Sequence, residues 1–70
     1  MNVIARIPGE KLFNGMTYQE YVFDTGHIFT LYESGSYTAK TLTGRKALIH
    51  KRKEMQNAIA VYEKRRATCH

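Results

Sequence analysis

Residues 43–66, TGRKALIHKRKEMQNAIAVYEKRR, decide the fold that this chain of 70 residues is expected to adopt. After Gly44 the stretch contains neither glycine nor proline, the two residues that most strongly disfavour a helix, and it therefore predicts one helix of about six turns. Thr43 is suited to cap the first turn, because its hydroxyl can accept a hydrogen bond from a backbone N–H group. We expect a basic amphipathic helix over residues 43–67 and a disordered tail over residues 68–70.

Helical spacing gives this stretch an apolar side and a polar side. The apolar side comprises Leu48, Met55, Ile59 and Tyr62, with Ala47 and Ala58 at its borders. We expect these residues to pack against a sheet. The opposite side is a column about 27 Å long, and it comprises Lys46, His50, Lys53, Asn57 and Lys64, flanked by Lys51 and Arg52. These residues are the first candidate partner-binding site, and a helix face that is merely solvated is the alternative interpretation.

The chain before the helix alternates apolar and polar residues between turn signals, which is typical of an antiparallel β-meander. Strands are predicted over residues 2–7, 16–23, 27–32 and 37–42, joined by turns at Asn14-Gly15, Asp24-Thr25-Gly26 and Glu33-Ser34-Gly35-Ser36. The first strand is expected at an edge of the sheet and the third at its centre, while residues 10–13 are left open between a strand and a loop. The predicted fold class is α+β. One small domain over residues 1–70 has a meander of three to four strands, residues 1–42, packed by one long C-terminal helix.

The net charge of +5 is concentrated in the C-terminal part of the chain. Residues 44–70 contain eight lysine and arginine residues against two glutamates, whereas residues 1–43 contain three against four acidic residues. Such asymmetry indicates an acidic partner, for which nucleic acid and an acidic protein surface are the two candidates.

Five tyrosines and three phenylalanines are many for a chain of this length, and all of them except Tyr62 precede the helix. They cannot all pack beneath one helix, so some must lie on the outer face of the sheet. These outer residues either cover the edges or form a tyrosine-rich recognition surface, since aromatic side chains supply contact area at low entropic cost. The second candidate partner-binding site, on the edge strand and the sheet, comprises Val3, Ile4, Arg6, Tyr18 and Tyr21.

Several classes of function are not expected from this composition. The single cysteine, Cys69, allows no internal disulfide and cannot complete a zinc site with His70 alone. The sequence shows neither two carboxylates in a shared context nor a glycine-rich phosphate loop. We therefore expect a protein that is not an enzyme and that needs no cofactor or metal. The lack of a signal-peptide pattern and of an apolar stretch of about 18 residues favours a cytoplasmic protein without a membrane span.

The predicted order of elements over residues 18–62, a three-stranded sheet followed by one helix, resembles the plant AP2-type domain and the arm-binding domain of phage integrases. Those families read the major groove with arginines on the sheet, so the resemblance implies direct binding to duplex DNA. Here no arginine follows Arg6 within the predicted strands, and the predicted sheet carries a slight negative charge. The basic helix is then the element expected to contact phosphates, with salt-sensitive and weakly specific binding.

The whole chain, including its opening MNVIARIPGEKLFNG, also resembles the small bacteriophage-encoded proteins that bind host RNA polymerase. This resemblance implies a non-enzymatic regulator that inhibits or redirects transcription in the host cytoplasm, with a subunit of bacterial RNA polymerase as its partner. The edge strand over residues 2–7 would accept a partner peptide by strand addition. The helix would meet acidic polymerase surface or the nucleic acid that polymerase holds.

We favour polymerase binding over direct DNA binding, because the residues predict an aromatic sheet surface beside a basic helix rather than a uniformly basic surface. A third hypothesis is an interaction protein whose sheet face pairs with a second copy. We expect the protein to be a monomer, which disfavours this third hypothesis.

Overall fold

The computed structural model of the protein describes residues 1–9 and 15–68 and confirms the α+β class. Its elements are β1 (Val3–Pro8), β2 (Tyr18–Phe23), β3 (Ile28–Tyr32), β4 (Tyr37–Lys40) and the helix α1 (Ile49–Thr68). The strands form one antiparallel sheet in the order β1-β2-β3-β4, so each strand pairs with its neighbour in sequence. The molecule measures 34 × 32 × 17 Å, the shape of one sheet covered on one side by one helix.

The hairpin turns that can be compared with the sequence follow its turn signals. In the predicted turn at residues 24–26, Gly26 adopts a left-handed conformation with φ of 89°, and its N–H group donates to the Phe23 carbonyl. The turn predicted at residues 14–15 and the open question of residues 10–13 involve residues outside the described part of the chain. The edge position predicted for β1 is confirmed, and β3 shares the centre of the sheet with β2.

One face of the sheet packs against α1 and forms the hydrophobic core. The buried core residues are Tyr21, Phe23, Phe29, Ala39, Ala47 and Met55. Alternation along β3 directs Phe29 toward the helix and Ile28 away from it. Met55 is fully buried, and Ile59 and Tyr62 pack against the core from the same side of α1, so the predicted apolar stripe is confirmed for these three residues.

The helix begins at Ile49, six residues after the predicted start at Thr43. The predicted capping role of Thr43 is therefore wrong, and its hydroxyl instead contacts the Thr41 hydroxyl at 3.1 Å. Leu48 was predicted on the apolar stripe but precedes the helix and is 66% exposed. At its other end the helix continues to Thr68, a residue that was predicted to lie in a disordered tail.

Residues 41–47 turn back beside β4 instead of starting the helix. Thr41 N–H donates to the Arg45 carbonyl at 2.7 Å, and Ala47 N–H donates to the Ala39 carbonyl at 2.9 Å. Gly44 makes the turn possible because its φ of 84° lies in the left-handed region, which a right-handed helix excludes. The returning chain thus forms a single bridge with β4 before α1 starts.

The two edges of the sheet differ in their suitability for strand addition. Along β1 a bulge between Val3 and Ala5 interrupts the pairing, and the strand ends at Pro8, which has no N–H group. Both features discourage the pairing of a further strand. The other edge, β4, is covered only where the returning chain bridges Lys40 with Lys46. The N-terminal half of β4 is therefore the less protected edge.

Candidate partner-binding site

The sheet face that points away from α1, here called the open face, has none of the described elements packed on it. The side chains that line its shallow concavity of about 430 Å³ include Tyr18, Glu20, Ile28, Thr30, Tyr32, Thr38, Lys40 and Leu42. The rings of Tyr18 and Tyr32 lie 6.1 Å apart and form its aromatic part, while Ile28 and Leu42 are exposed apolar residues. Contiguous apolar and aromatic side chains of this kind are typical of a surface that contacts another macromolecule.

Three cations, which we call the basic margin, surround the uncovered part of the β4 edge: Lys40, Lys46 and Arg52. Together with Tyr37, Thr38 and Ala39 they line a concavity of about 360 Å³. The ion pairs found in the described chain involve none of the three. Lys40 and Lys46 are directly opposite each other in the bridge, an arrangement in which like charges destabilise the sheet. An anionic group bound here would offset the repulsion between Lys40 and Lys46.

Arg52 is oriented by the start of α1. Its Nε donates to the Ala47 carbonyl at 2.9 Å, which keeps the half-buried side chain beside the β4 edge. The first turn of α1 contains no acidic residue, although the helix dipole favours acidic residues there. His50 and Lys51 occupy it instead, and Lys51 pairs with Glu54 at 3.2 Å. Positive potential therefore accumulates at the end of α1 that adjoins the basic margin.

The first candidate site is divided between two places in the structure. The part of the predicted column that is helical lies exposed on α1 and comprises His50, Lys53, Asn57 and Lys64. Lys46 does not belong to it, because α1 starts after this residue and Lys46 pairs with β4 instead. The predicted flanking residue Arg52 joins Lys46 in the basic margin, whereas Lys51 is paired on the helix surface.

The second candidate site is also divided, in this case between the two faces of the sheet. Tyr18 lies on the open face and Ile4 is exposed at the bulge of β1. Tyr21 is only 2% exposed beneath α1, so its burial rules out the predicted contact with a partner. Val3 packs against the core, and Arg6 turns toward the helix. The last three residues therefore support the fold rather than offer a binding surface.

A polar cluster joins the sheet to the C-terminal half of α1. The Tyr21 hydroxyl donates to Glu63 Oε1 at 2.7 Å, while Arg66 Nε and Nη2 lie 2.8 and 2.7 Å from Glu63 Oε2. Arg6 Nε lies 3.5 Å from the same carboxylate. These residues are coupled to one another, so their polar groups stabilise the packing of α1 on β1 and β2.

The cluster also sets the ionisation of its members. Burial opposes the charged form of Glu63, but hydrogen bonds from Tyr21 and Arg66, with the charges of Arg66 and Arg6, hold the pKa of this carboxyl group below its ordinary value. Burial and the hydrogen bond to Glu63 raise the pKa of the Tyr21 hydroxyl. The carboxylate therefore stays ionised and the phenol neutral at neutral pH, which is the state that the hydrogen bonds require.

Sequence reasoning missed the basic margin because it placed Lys46 in the helix, whereas Lys46 precedes the helix and pairs with Lys40 of β4. The signal that could have found it was Gly44, which follows Thr41-Leu42-Thr43 as a turn residue would. A turn at Gly44 brings the chain back beside β4 and sets the two lysines opposite each other.

Comparison of the chain with known protein families, curated proteins and solved structures found no match. Across residues 1–9 and 15–68, no helix has both the length and the apolar character needed to cross a bilayer. The same residues contain no group of three or more His, Cys, Asp or Glu side chains placed to hold a metal ion.

Proposed function

We propose that this protein is a non-enzymatic regulator of transcription, encoded by a bacteriophage, that binds bacterial RNA polymerase and inhibits or redirects it. The observation that carries the proposal is that the open face and the basic margin are contiguous, since Thr38 and Lys40 line both concavities. An apolar and tyrosine-bearing surface with cations at its border suits a protein partner that has acidic groups around the contact. The resemblance to small polymerase-binding phage proteins supports the choice of RNA polymerase as that partner.

The positions of the carboxylates support binding rather than catalysis. Asp24 Oδ1 accepts the Asn2 backbone N–H at 3.0 Å, and Glu33 Oε2 accepts the Thr17 backbone N–H at 2.9 Å. Glu63 is engaged by the polar cluster. Each of these three groups holds a turn or an element in place and lies outside the two concavities of the candidate site. Glu20, in contrast, lines the concavity of the open face.

Capture of RNA polymerase by the immobilised protein tests the proposal. We expect purified bacterial core polymerase, and polymerase from a nuclease-treated bacterial lysate, to be retained at moderate salt. A double variant with Lys40→Glu and Lys46→Glu should retain much less, whereas the control double variant with Lys53→Glu and Lys64→Glu changes the net charge equally and should retain as much as the wild type. Polymerase that is not captured by the wild-type protein after nuclease treatment would contradict the proposal.

Direct binding to duplex DNA is the second candidate function. It is supported by the exposed cations along α1, where Lys53, Lys64 and Arg65 have no ion pair with a described residue. In this case an electrophoretic shift of duplex DNA at micromolar protein should weaken steeply with salt, and the variant with Lys53→Glu and Lys64→Glu should lose it. DNA that is not retarded at low salt would remove this candidate.

A further inference from the structure

We propose that the open edge of β4 binds an extended acidic peptide segment as an additional strand of the sheet. The proposal specifies what kind of partner the basic margin binds. It rests on the proposed function only for the statement that such a segment belongs to RNA polymerase. It also replaces β1 by β4 as the edge to which a strand is added, because β1 is interrupted by its bulge and ends at Pro8.

Hydrogen bonds to the returning chain establish which backbone groups of β4 point outward. Thr41 N–H donates outward to the Arg45 carbonyl at 2.7 Å, and the Ala39 carbonyl accepts outward from Ala47 N–H at 2.9 Å. Since backbone groups reverse direction at each residue along a strand, Tyr37 also directs its N–H and carbonyl groups outward. The returning chain does not reach Tyr37, because it leaves β4 after Ala47 to begin α1.

The side chains around this edge select the charge of the added strand. Lys40, Lys46 and Arg52 form the basic margin beside the outward-pointing backbone of Tyr37. The Tyr37 ring is stacked on Phe29 with centroids 4.8 Å apart and planes at 13°, so it forms a firm wall of the concavity. Carboxylates along one side of an extended peptide would reach the three cations while its backbone paired with Tyr37.

The same features argue against two other occupants. A second copy of this edge would bring its own Lys40 and Lys46 against the basic margin, so self-pairing is repulsive. A nucleic acid would satisfy the cations, but a phosphate backbone has acceptors only and cannot pair with both the N–H and the carbonyl of Tyr37. A peptide strand supplies a donor and an acceptor at the spacing that the edge presents.

A synthetic probe tests the proposal without polymerase. The probe is a fluorescently labelled, acetylated peptide of sequence EVEVET, and its binding to the full chain is measured by fluorescence anisotropy. Two control peptides are KVKVKT, which reverses the charge, and EVEVET with alternate backbone amides methylated, which keeps the charge and removes the strand hydrogen bonds. We expect binding of the unmodified acidic peptide and at least about tenfold weaker binding of both controls.

Variants of the protein locate the site. Lys40→Glu together with Lys46→Glu should weaken binding of the acidic peptide by about tenfold or more, and Lys46→Glu alone replaces the double variant if that one does not fold. Lys53→Glu together with Lys64→Glu, the matched control, should leave the affinity unchanged. Bound peptide should slow hydrogen exchange of the outward-pointing Tyr37 amide and leave the Thr38 amide, which points toward β3, as it was.

Three outcomes would overturn the proposal: no binding of the acidic peptide, equal binding of its methylated form, or displacement of the peptide by an equally charged oligo-dT at similar concentration. The last two would identify a site for polyanions instead of a strand. Failure of the proposal remains distinct from failure of the proposed function. Capture of polymerase without binding of the acidic peptide contradicts the strand-addition site alone, and peptide binding without capture of polymerase contradicts the proposed function alone.

Discussion

Glu63 connects α1 to two strands of the sheet, β1 and β2. Its carboxylate accepts the Tyr21 hydroxyl from β2, lies beside Arg6 of β1 and pairs with Arg66 on its own helix. Tyr21 lies deep in the structure, and its ring also meets Tyr62 edge to face with centroids 6.3 Å apart. The hydroxyl of Tyr21 is thus the polar end of a core residue, and its hydrogen bond to Glu63 is partly buried.

Removal of that hydroxyl should be measurable. For Tyr21→Phe we expect a loss of about 1 kcal/mol in the free energy of unfolding, since a hydrogen bond to an ionised group is lost and Glu63 keeps its arginine partners. In a domain of this size that loss corresponds to a decrease in Tm of about 4–8 °C. Tyr62→Phe is the matched control, because the Tyr62 hydroxyl makes no hydrogen bond with a described residue, and it should change Tm little. Equal decreases for the two variants would show that the hydrogen bond does not contribute.

Acid should destabilise the fold through three carboxylates. A backbone hydrogen bond from Asn2 lowers the pKa of Asp24 from its ordinary 3.8, and one from Thr17 lowers the pKa of Glu33 from 4.5; the pKa of Glu63 is lowered as well. A carboxyl group whose pKa is lower in the folded chain stabilises the fold fully above its unfolded pKa, and the contribution is lost as pH falls through the folded pKa. We expect the midpoint of urea unfolding to decrease below about pH 4.5.

The variant Glu63→Gln separates one carboxylate from the other two. Because its residue 63 no longer titrates, its stability should decline less steeply between about pH 5 and about pH 3 than that of the wild type. The measurement is a series of urea titrations across this range. An identical pH dependence for the two proteins would contradict the contribution assigned to Glu63.

At the scale of secondary-structure elements, the start of α1 is where the sequence-based prediction and the structure differ. A helix that begins at Thr43 would place Gly44 in its first turn, where alanine is more favourable than glycine. In the structure Gly44 has a φ of 84°, so Gly44→Ala places a side chain in a left-handed conformation at a cost of about 1–2 kcal/mol. We therefore expect this variant to be less stable than the wild type in urea titrations.

The substitution Gly35→Ala provides a reference for the destabilisation expected of Gly44→Ala. Gly35 has a φ of 94° in the turn between β3 and β4, and no atom outside the neighbouring residues would lie within 4 Å of an added Cβ at either Gly35 or Gly44. Gly35→Ala should therefore cost about as much as Gly44→Ala. A Gly44 variant that is more stable than the wild type, beside a destabilised Gly35 variant, would favour the earlier helix start.

The elements that the sequence predicted well are those with a local signal. The alternation of side chains along β3 and the turn at Gly26 follow from neighbouring residues alone. The helix start was wrong because the pairing of Ala47 with Ala39 competes with helix formation, and a contact between distant parts of the chain leaves no periodic pattern. For the same reason the pairing of Tyr21 with Glu63, 42 residues apart, was not predictable.

For the molecule as a whole, the sequence predicted which types of residue form the candidate site but not how they are grouped. It identified a basic C-terminal part and an aromatic sheet, and it placed Lys46 and Arg52 among the candidate residues. It could not bring Lys40 beside them, because this requires the bridge between β4 and the returning chain. It also could not tell that Tyr21 faces the helix while Tyr18 faces outward, since that choice depends on where the helix packs.

The molecule has one covered sheet face and one open face, and two adjacent residues of β3 distinguish them. Phe29 is 3% exposed in the core, whereas Ile28 is 37% exposed on the open face. A domain of 70 residues has a free energy of unfolding of about 4–10 kcal/mol, and Phe29→Ala should cost about 3–5 kcal/mol and unfold much of the protein. Ile28→Ala should cost less than about 1 kcal/mol, because its side chain is already partly in water.

The variant Ile28→Ala separates the fold from the proposed function. Because Ile28 lies on the open face, Ile28→Ala should leave the circular dichroism spectrum unchanged and lower Tm by no more than about 4–8 °C, while it reduces the capture of RNA polymerase. Thr25→Ala, in the exposed turn that precedes β3 and outside both concavities, is the control. It removes one exposed hydrogen bond, to His27, and should not reduce the capture of polymerase. If Ile28→Ala captures as much polymerase as the wild type, the open face is not part of the contact. The proposed binding surface would then be reduced to the basic margin.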